Sequence, residues 1–301
     1  MELIDAERTR ALLPYGELAE EIGRVLGERR AGVAYAPARV GMPLAGGGTL
    51  LLMPAADGQL GITKLVSVHP TNAGSGLTVV QAEVLAMEAG TGRRLFMLEG
   101  AVVTARRTAA LSLLAARALA PVASGPLLVV GAGVQARAHL EAFVEGLAVR
   151  EVYIASRNLA RAEELAAHAR GLGANARTVG EPGEVLERVT LVATATTSQM
   201  PVLPDGVRDD AFVAAVGAYL PDMAELPAGL VRRARVYVDT LQGARAEAGD
   251  LIMAGIDWAQ VTQLEDALDA PRPEKGPVVF KSVGHALWDL AAARLAQRKL
   301  G

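Results

Sequence analysis

Cysteine is absent from this chain of 301 residues, which excludes disulfides, thiolate nucleophiles and cysteine zinc sites. A chain without cysteine suits a reducing compartment, so we expect a cytoplasmic protein. Histidine is scarce as well. The four histidines show neither a paired helical spacing nor an acidic residue at ligand spacing, and we therefore assign no metal.

An excess of charge of one sign and long apolar runs are also lacking. The formal net charge of −3 gives no reason to expect nucleic acid or an anionic membrane as a partner. The most apolar region, residues 109–130, is interrupted by Arg117, Pro121 and Pro126, so it cannot span a bilayer. The first eight residues lack the basic and then apolar pattern of a signal peptide. The remaining composition, 51% hydrophobic and 21% charged, is that of a globular chain long enough for two domains.

A glycine turn near the middle of the chain provides the first chemical signal. An apolar run ending at Val130 is followed by Gly131-Ala132-Gly133-Val134-Gln135-Ala136 and then by a helical pattern. This order is the dinucleotide-binding fingerprint: Gly131 permits the tight turn, Gly133 lets the backbone approach a pyrophosphate, and the helix N-terminus presents free N–H groups. The alternative interpretation is a glycine-rich turn that binds no nucleotide.

The end of the next predicted strand indicates which dinucleotide binds. That strand, residues 151–155, is followed by Ser156-Arg157-Asn158. Sites for NAD place an aspartate or glutamate about 20 residues beyond the turn, whereas a basic residue accommodates a 2′-phosphate. A hydroxyl beside a guanidinium suits a phosphate monoester, so we predict that NADP(H) is preferred. NAD(H) is kept as the alternative cofactor. Alternatively, Arg157 is a solvated loop residue and Asn158 is a helix N-cap.

The pattern of predicted elements changes near residue 120. Surface helices over 5–30 precede short alternating strands, which predict a layer of mostly antiparallel strands. The predicted strands cover residues 33–40, 49–54, 60–68, 81–88 and 93–98. A helix over 104–119 ends before Pro121. Beyond residue 126, strands alternate with helices, including a short helix over 184–188. This alternation predicts a parallel, doubly wound sheet that binds its ligand at the carboxyl ends of the strands.

The predicted fold class is therefore α/β, a Rossmann doubly wound parallel sheet plus an α+β domain. We place the α+β domain at residues 1–120 and the Rossmann domain at residues 121–284. The C-terminal helix, residues 285–301, is expected to rejoin the first domain.

Several segments together resemble the ornithine cyclodeaminase/mu-crystallin family, in the family's order and over nearly the whole chain. They are Met53-Pro54-Ala55, Gly61-Ile62-Thr63-Lys64-Leu65-Val66-Ser67, Thr104-Ala105-Arg106-Arg107-Thr108-Ala109-Ala110, the turn at 131–136, Thr194-Ala195-Thr196-Thr197-Ser198, Pro221-Asp222-Met223-Ala224-Glu225-Leu226 and Phe280-Lys281-Ser282-Val283-Gly284. The resemblance implies a Rossmann domain joined to an α+β domain that binds substrate and forms a homodimer.

The resemblance also implies a substrate site. Arg39, Lys64 and Arg107 are expected to converge on the carboxylate of an amino or imino acid, in front of the nicotinamide. Two guanidiniums can each clamp an oxygen pair, and a lysine adds a charge or a proton. Met53 is a further candidate for the substrate pocket. Without the family, the three basic residues would be interpreted as solvated surface residues.

The fingerprint and the resemblance together predict the cofactor contacts. These are Thr108, Gly131, Gly133, Val134, Gln135, Ser156, Arg157, Asn158, Thr196, Ser198 and Lys281.

One departure from the family pattern favours a particular reaction. Cyclodeaminases and the related alanine dehydrogenases carry an aspartate, the acid/base for deamination, where this sequence has Tyr219. Mu-crystallin-like ketimine reductases also lack it, and reduction of a preformed imine needs at most one proton. We therefore expect NADPH-dependent reduction of a cyclic α-imino acid, first Δ1-pyrroline-2-carboxylate to L-proline, then the six-membered piperideine analogue.

Three alternatives remain open at this point. The first is an ornithine cyclodeaminase in which Asp222 replaces the missing aspartate. The second is an alanine dehydrogenase-like enzyme. The third is an NADPH-dependent binding protein without turnover.

Overall fold

The computed structural model describes residues 1–72 and 76–301. The chain divides into two units: Met1–Arg107 together with His285–Gly301, and Thr108–Gly284. The division falls inside helix α3 (Gly100–Leu119), whereas the sequence placed the boundary at that helix's end. The reason is that the helix serves both units. Arg106 stacks on Tyr15 at 3.8 Å in the first unit, and Ser112 bonds His139 at 2.9 Å in the second.

The first unit is built on a six-stranded sheet. Its strands are β1 (Glu2–Ile4), β2 (Val40–Pro43), β3 (Thr49–Ala56), β4 (Leu60–Val68), β5 (Val80–Glu88) and β6 (Arg94–Glu99), in the order β1-β6-β5-β4-β3-β2. Its helices, besides the start of α3, are α1 (Ala6–Leu12), α2 (Tyr15–Arg30) and α10 (Ala286–Leu300). Helix α10 packs against α2 and against β3, β4 and β5, so the C-terminal helix rejoins the first unit.

The two faces of this sheet differ in burial. Met53, Lys64, Val84 and Leu98 are paired in register across β3, β4, β5 and β6, and all four side chains are buried. One residue along β4, the opposite face exposes Leu65. Alternation along the strands therefore places Lys64 in the row that faces the core.

The second unit is a doubly wound α/β domain. Its strands are β7 (Leu127–Val130), β8 (Glu151–Ala155), β9 (Asn175–Val179), β10 (Leu191–Thr194), β11 (Phe212–Ala215), β12 (Arg235–Val238), β13 (Thr262–Gln263) and β14 (Val278–Lys281). Its helices, after α3, are α4 (Val134–Gly146), α5 (Leu159–Gly171), α6 (Ala228–Arg233), α7 (Leu241–Glu247), α8 (Gly249–Ala254) and α9 (Leu264–Ala267).

The strand order of the second sheet, β13-β12-β14-β11-β10-β7-β8-β9, confirms the predicted Rossmann class, because every neighbouring pair is parallel. From β7 the chain moves outward to β8 and β9, and then returns to the other side at β10. The order therefore reverses between β7 and β10. Open α/β sheets bind ligands at such a reversal, beyond the carboxyl ends of the strands.

Some local predictions were wrong. The strand predicted over 33–40 is only a bridge between Tyr35 and Ala56 followed by β2, because Pro37 has no N–H for a ladder. The helix predicted over 184–188 is a single 3-10 turn, Pro182–Glu184. Strand β9 and helices α7 and α8 were not predicted from the sequence.

The described part of the chain was searched for helices that could span a membrane. None of its helices is both long enough and apolar enough to cross a bilayer.

Candidate active site

A cleft of about 1070 Å³ opens in the second unit at the carboxyl ends of β7, β8, β9 and β10. It lies at the reversal of strand order, where the sequence places its glycine turn. Seven predicted cofactor residues line it: Gly131, Gly133, Ser156, Arg157, Asn158, Thr196 and Ser198. Four do not belong to its lining: Thr108, Val134, Gln135 and Lys281.

The glycine turn has the shape that a bound pyrophosphate requires. Gly131 has φ +117°, and a Cβ there would lie 2.6 Å from the carbonyl oxygen of Ala195, so a side chain is excluded. Gly133 precedes α4 as its N-cap and makes no side-chain capping bond. A Cβ at Gly133 would meet nothing within 4 Å, which leaves room for a ligand. The first N–H groups of α4 are therefore presented to an anion.

The end of β8 combines a helix cap with basic side chains. Asn158 Oδ1 accepts a hydrogen bond from the backbone N–H of Arg161 at 3.1 Å, so Asn158 is the N-cap of α5. Ser156 Oγ accepts from the N–H of Asn158 at 3.2 Å. Arg157 and Arg161 are both exposed and both line the cleft. Arg161, which follows Arg157 by four residues, was not predicted from the sequence.

A buried carboxylate, Glu225, holds the turns that follow β10 and β11. One of its oxygens accepts from Thr196 N–H at 2.6 Å and from Thr196 Oγ1 at 2.9 Å. The other accepts from Gly217 N–H at 2.6 Å and from Ala218 N–H at 3.3 Å. Burial raises the pKa of Glu225, while the charge of Lys281 opposes that rise. A Cβ at Gly217 would lie 2.1 Å from the carbonyl oxygen of Thr196, so the two turns approach as closely as a glycine permits.

Lys281, a predicted cofactor contact, is buried in an ion pair and does not belong to the lining of the cleft. Its Nζ lies 2.6 Å from Asp250 Oδ2, and both side chains are fully buried. Asp250 Oδ1 in turn accepts from the N–H groups of Glu225 and Leu226 at 2.5 and 2.8 Å. Lys281 is thus paired with the carboxylate that holds the backbone at Glu225.

A second group of charged residues lies in the first unit. Lys64 Nζ is 3.0 and 2.8 Å from the two oxygens of Asp289, and Arg107 Nε is 3.4 Å from Asp289 Oδ1. Lys64 is 2%, Arg107 5% and Asp289 0% exposed. Arg39 is partly exposed and near enough to act electrostatically on Lys64. The structure therefore brings together the three basic residues that the family resemblance selected.

Burial, together with the charges of Arg107 and Arg39, lowers the pKa of Lys64 to about 8, although Asp289 acts to raise it. Lys64 and Arg107 thus share the carboxylate of Asp289, and Arg39 adds a positive charge near Lys64. An excess of buried positive charge is costly unless an anion neutralises it. The group is suited to bind the carboxylate of a small molecule, and Met53, paired with Lys64 in register, adds an apolar neighbour.

The family resemblance also places Asp289 near the cofactor end of the site, and two features of the chain agree with this group. Lys64 occupies the apolar positions of an alternating strand, with Leu60, Ile62 and Val66. Asp289 lies in a helix whose residues 286–293 are all buried. A charged residue in such a run needs a partner of opposite charge. What the sequence does not show is that these two residues, 225 positions apart, are partners.

Position 219 itself carries no carboxylate in place of the family's aspartate. Tyr219 is 44% exposed. Asp222 is also exposed, and its Oδ2 lies 3.5 Å from Gln199 Nε2. Among residues 1–72 and 76–301, no three acidic or histidine side chains are grouped so that they could hold a metal ion.

With this geometry established, comparison with known proteins identifies the family. Residues 5–300 match the ornithine cyclodeaminase/mu-crystallin family. The chain belongs to this family. The predicted resemblance is therefore confirmed over the whole length of both units.

Relatives of known name narrow the class of protein. The chain is 40% identical over 298 residues to Delta(1)-pyrroline-2-carboxylate reductase 1 of Burkholderia multivorans, covering 99% of this chain and 96% of that protein. It is 39% identical over 300 residues to a Delta(1)-pyrroline-2-carboxylate/Delta(1)-piperideine-2-carboxylate reductase of Azospirillum brasilense, covering 99% and 96%.

Among solved structures, Delta(1)-pyrroline-2-carboxylate reductase of Thermococcus litoralis, in complex with NADH and L-proline, superposes with a TM-score of 0.93. The two chains are 30% identical, and the match covers 99% of this chain and 97% of that one. Together these relatives place the chain among the oxidoreductases of the family.

The first prediction concerns Glu225. In Glu225→Gln, an amide nitrogen replaces an oxygen that accepts hydrogen bonds, so the turns at Thr196 and Gly217 lose part of their support. We expect a loss of about 1–3 kcal/mol in the free energy of unfolding and weaker binding of reduced dinucleotide. Chemical denaturation and a fluorescence titration measure the two effects. Glu163→Gln, at an exposed position, is the matched control; equal effects in both variants would contradict the role of Glu225.

Proposed function

We propose that this oxidoreductase catalyses the NADPH-dependent reduction of a cyclic α-imino acid, with Δ1-pyrroline-2-carboxylate giving L-proline as its main reaction. The observation that carries the proposal is the pairing of the buried Lys64 and Arg107 with Asp289, with Arg39 near enough to act electrostatically on Lys64. Two relatives about 40% identical to this chain are named for the same reaction, which supports the proposal.

In this proposal the basic residues bind the substrate carboxylate. Arg107 and Arg39 each offer a planar set of N–H donors, and Lys64 contributes a compact positive charge. Holding the carboxylate fixes the neighbouring C=N carbon, and such positioning accounts for several kcal/mol of a barrier in general. Met53 contributes an apolar surface beside Lys64 for the ring. The pyrroline is the proposed substrate, and the six-membered piperideine is the second, since the Azospirillum relative is named for both rings.

The cofactor in this proposal is a nicotinamide dinucleotide held in the cleft of the second unit; when bound, it supplies the hydride. The fit rests on the tight turn at Gly131, on the open space beside Gly133 and on the uncapped N-terminus of α4. We propose NADP(H) because Ser156, Arg157 and Arg161 line the cleft where the strand end bears no carboxylate. NAD(H) is the second candidate, since the Thermococcus relative was captured with NADH.

We also propose a cytoplasmic homodimer. Val40, Leu52 and Leu65 are paired in register on β2, β3 and β4, and they are 57%, 39% and 41% exposed. Such an apolar row on an open sheet face is typical of a surface that another chain covers. The mass of the protein in solution tests the dimer.

Steady-state assays of the purified protein test the reaction. We expect rapid oxidation of NADPH with Δ1-pyrroline-2-carboxylate, slower oxidation with the piperideine, and no ammonia from L-ornithine with NAD. The physical reason is that position 219 carries a tyrosine, which supplies no carboxylate for deamination. Ammonia from ornithine would instead support the cyclodeaminase alternative, and binding of NADPH without turnover would support the binding-protein alternative.

The cofactor preference is tested by changing the end of β8. In Arg157→Asp, a carboxylate replaces the guanidinium and repels a 2′-phosphate, so we expect kcat/KM to shift from NADPH toward NADH. Arg208→Asp, at an exposed arginine bonded to Asp210, is the control and is expected to leave the preference unchanged. An unaltered preference in Arg157→Asp would show that Arg157 does not recognise the phosphate.

The substrate site is tested with two neighbouring arginines. Arg107→Ala removes a cation from the cluster. We therefore expect kcat/KM for the imine to fall, by an amount equivalent to about 2–5 kcal/mol of transition-state stabilisation. Arg106→Ala removes the stack on Tyr15 and the bond from Nε to the carbonyl oxygen of Leu13, and should lower thermal stability instead. Equal kinetic losses in both variants would exclude a specific role for Arg107.

A further inference from the structure

Lys64 is a buried amine whose ammonium form depends on one neighbouring carboxylate. Its side chain lies in the core-facing row of β4, where its partners on β3 and β5 are the uncharged Met53 and Val84. Helix α3 brings Thr104 to 3.4 Å from Nζ and also brings the cationic Arg107. Arg39, from the segment before β2, adds a second positive charge. Among the described groups that act on Lys64, Asp289 of α10 is the one that favours the charged form.

The geometry of Asp289 suits this task. Both of its oxygens lie within 3.0 Å of Nζ, and Oδ1 accepts a hydrogen bond from it. The third contact, to Thr104 Oγ1, is long at 3.4 Å. A proton directed there is weakly held and can be redirected to a stronger acceptor.

We propose that Asp289 is a positioning residue that keeps Lys64 in its ammonium form and aims it, so that Lys64 gives its proton to the imine nitrogen of the substrate. This inference rests on the proposed reduction of a cyclic imine. Lys64 then has a second task besides attracting the substrate carboxylate, and it is the catalytic acid of the reaction.

The proton and electron balance of the step is complete. A hydride, supplied by the reduced nicotinamide, adds to the C=N carbon. The π electron pair of the C=N bond moves to nitrogen and forms an N–H bond with the proton from Lys64 Nζ, so the imine becomes a secondary amine. Lys64 is left as a neutral amine beside Asp289, and a proton from solvent restores the ammonium. The nicotinamide is oxidised and the substrate is reduced by two electrons.

The step predicts a defined pH dependence. The acid must be protonated, so kcat/KM should fall as the pH rises through the pKa of Lys64, near 8. An opposite charge within about 4–6 Å commonly changes a pKa by 1–3 units. In Asp289→Asn that support is lost, and the alkaline limb of the profile should move to lower pH by about one unit or more.

Lysine NMR measures the same ionisation without turnover. The chain contains four lysines, Lys64, Lys275, Lys281 and Lys299, so full-length protein labelled with 13C at lysine Cε gives few signals. The signal that is lost in Lys64→Arg is the signal of Lys64. The titration is run with and without oxidised cofactor. We expect the Lys64 midpoint to coincide with the alkaline kinetic limb in the wild type, and both to move together in Asp289→Asn.

Glu21→Gln is the matched control. Glu21 is also fully buried, and it pairs with Arg294 at 3.0 Å and Arg298 at 2.8 Å in the same unit. The variant should lower stability as Asp289→Asn does, without moving either the NMR midpoint or the kinetic limb. A common shift in both variants would attribute the effect to general loosening and overturn the proposal.

The remaining outcomes are also decisive. If Asp289→Asn lowers the NMR titration midpoint of Lys64 but leaves the alkaline limb of kcat/KM in place, Lys64 is not the acid. If the titration midpoint itself does not change, Asp289 does not keep Lys64 in its ammonium form. Should Asp289→Asn fail to fold, different positions of midpoint and limb in the wild type overturn the proposal. Failure of the wild type to reduce the imine at any pH overturns the proposed function and the proton delivery, while the NMR titration still decides whether Asp289 holds the ammonium.

Lys64→Arg separates the acid from the charge. A guanidinium keeps the positive charge but does not release a proton at these pH values. We expect kcat to fall about 100-fold or more, with a smaller change in KM and no alkaline limb. An unchanged kcat would overturn the assignment of Lys64 as the acid and leave the proposed reduction intact.

Discussion

The pairing of Lys64 with Asp289 is the interaction on which the site in the first unit depends. Desolvation and two neighbouring guanidiniums favour the neutral amine, and the carboxylate opposes both effects. Without it, a buried amine next to two other cations would lose its proton. The pair also joins the sheet to the C-terminal helix, since Lys64 lies on β4 and Asp289 in the first turn of α10. The contact that joins sheet and helix is therefore the one that pairs these buried charges.

The second unit also contains a buried charge that needs partners, but there the charge is negative. There a carboxylate, Glu225, is the buried charge, and its partners are backbone N–H groups at the ends of two strands. Asp250 and Lys281 form a second layer behind it. Each buried ion thus fixes backbone that lines or supports the cleft. In the second unit a buried carboxylate holds the strand ends at the cleft, and in the first a buried carboxylate pairs with the basic residues of the candidate substrate site.

Much of the architecture followed from patterns in the chain. The parallel sheet and the glycine turn were predicted because each depends on local alternation or on a conformation that glycine adopts easily. The strand expected over 33–40 did not form, because Pro37 prevents pairing along it. Arg161 was overlooked because a helical arginine gives no local signal that it faces a cleft.

By itself, the sequence determined the fold class, the location of the dinucleotide turn and, through its resemblance to a family, the set Arg39, Lys64 and Arg107. These features depend on residue type and spacing along the chain. Only the tertiary structure decided that Lys64 is buried and paired with Asp289, and that Lys281 supports the cleft instead of lining it. The physical reason is that the charge state and exposure of a side chain depend on its neighbours in space, and here those neighbours are distant in sequence.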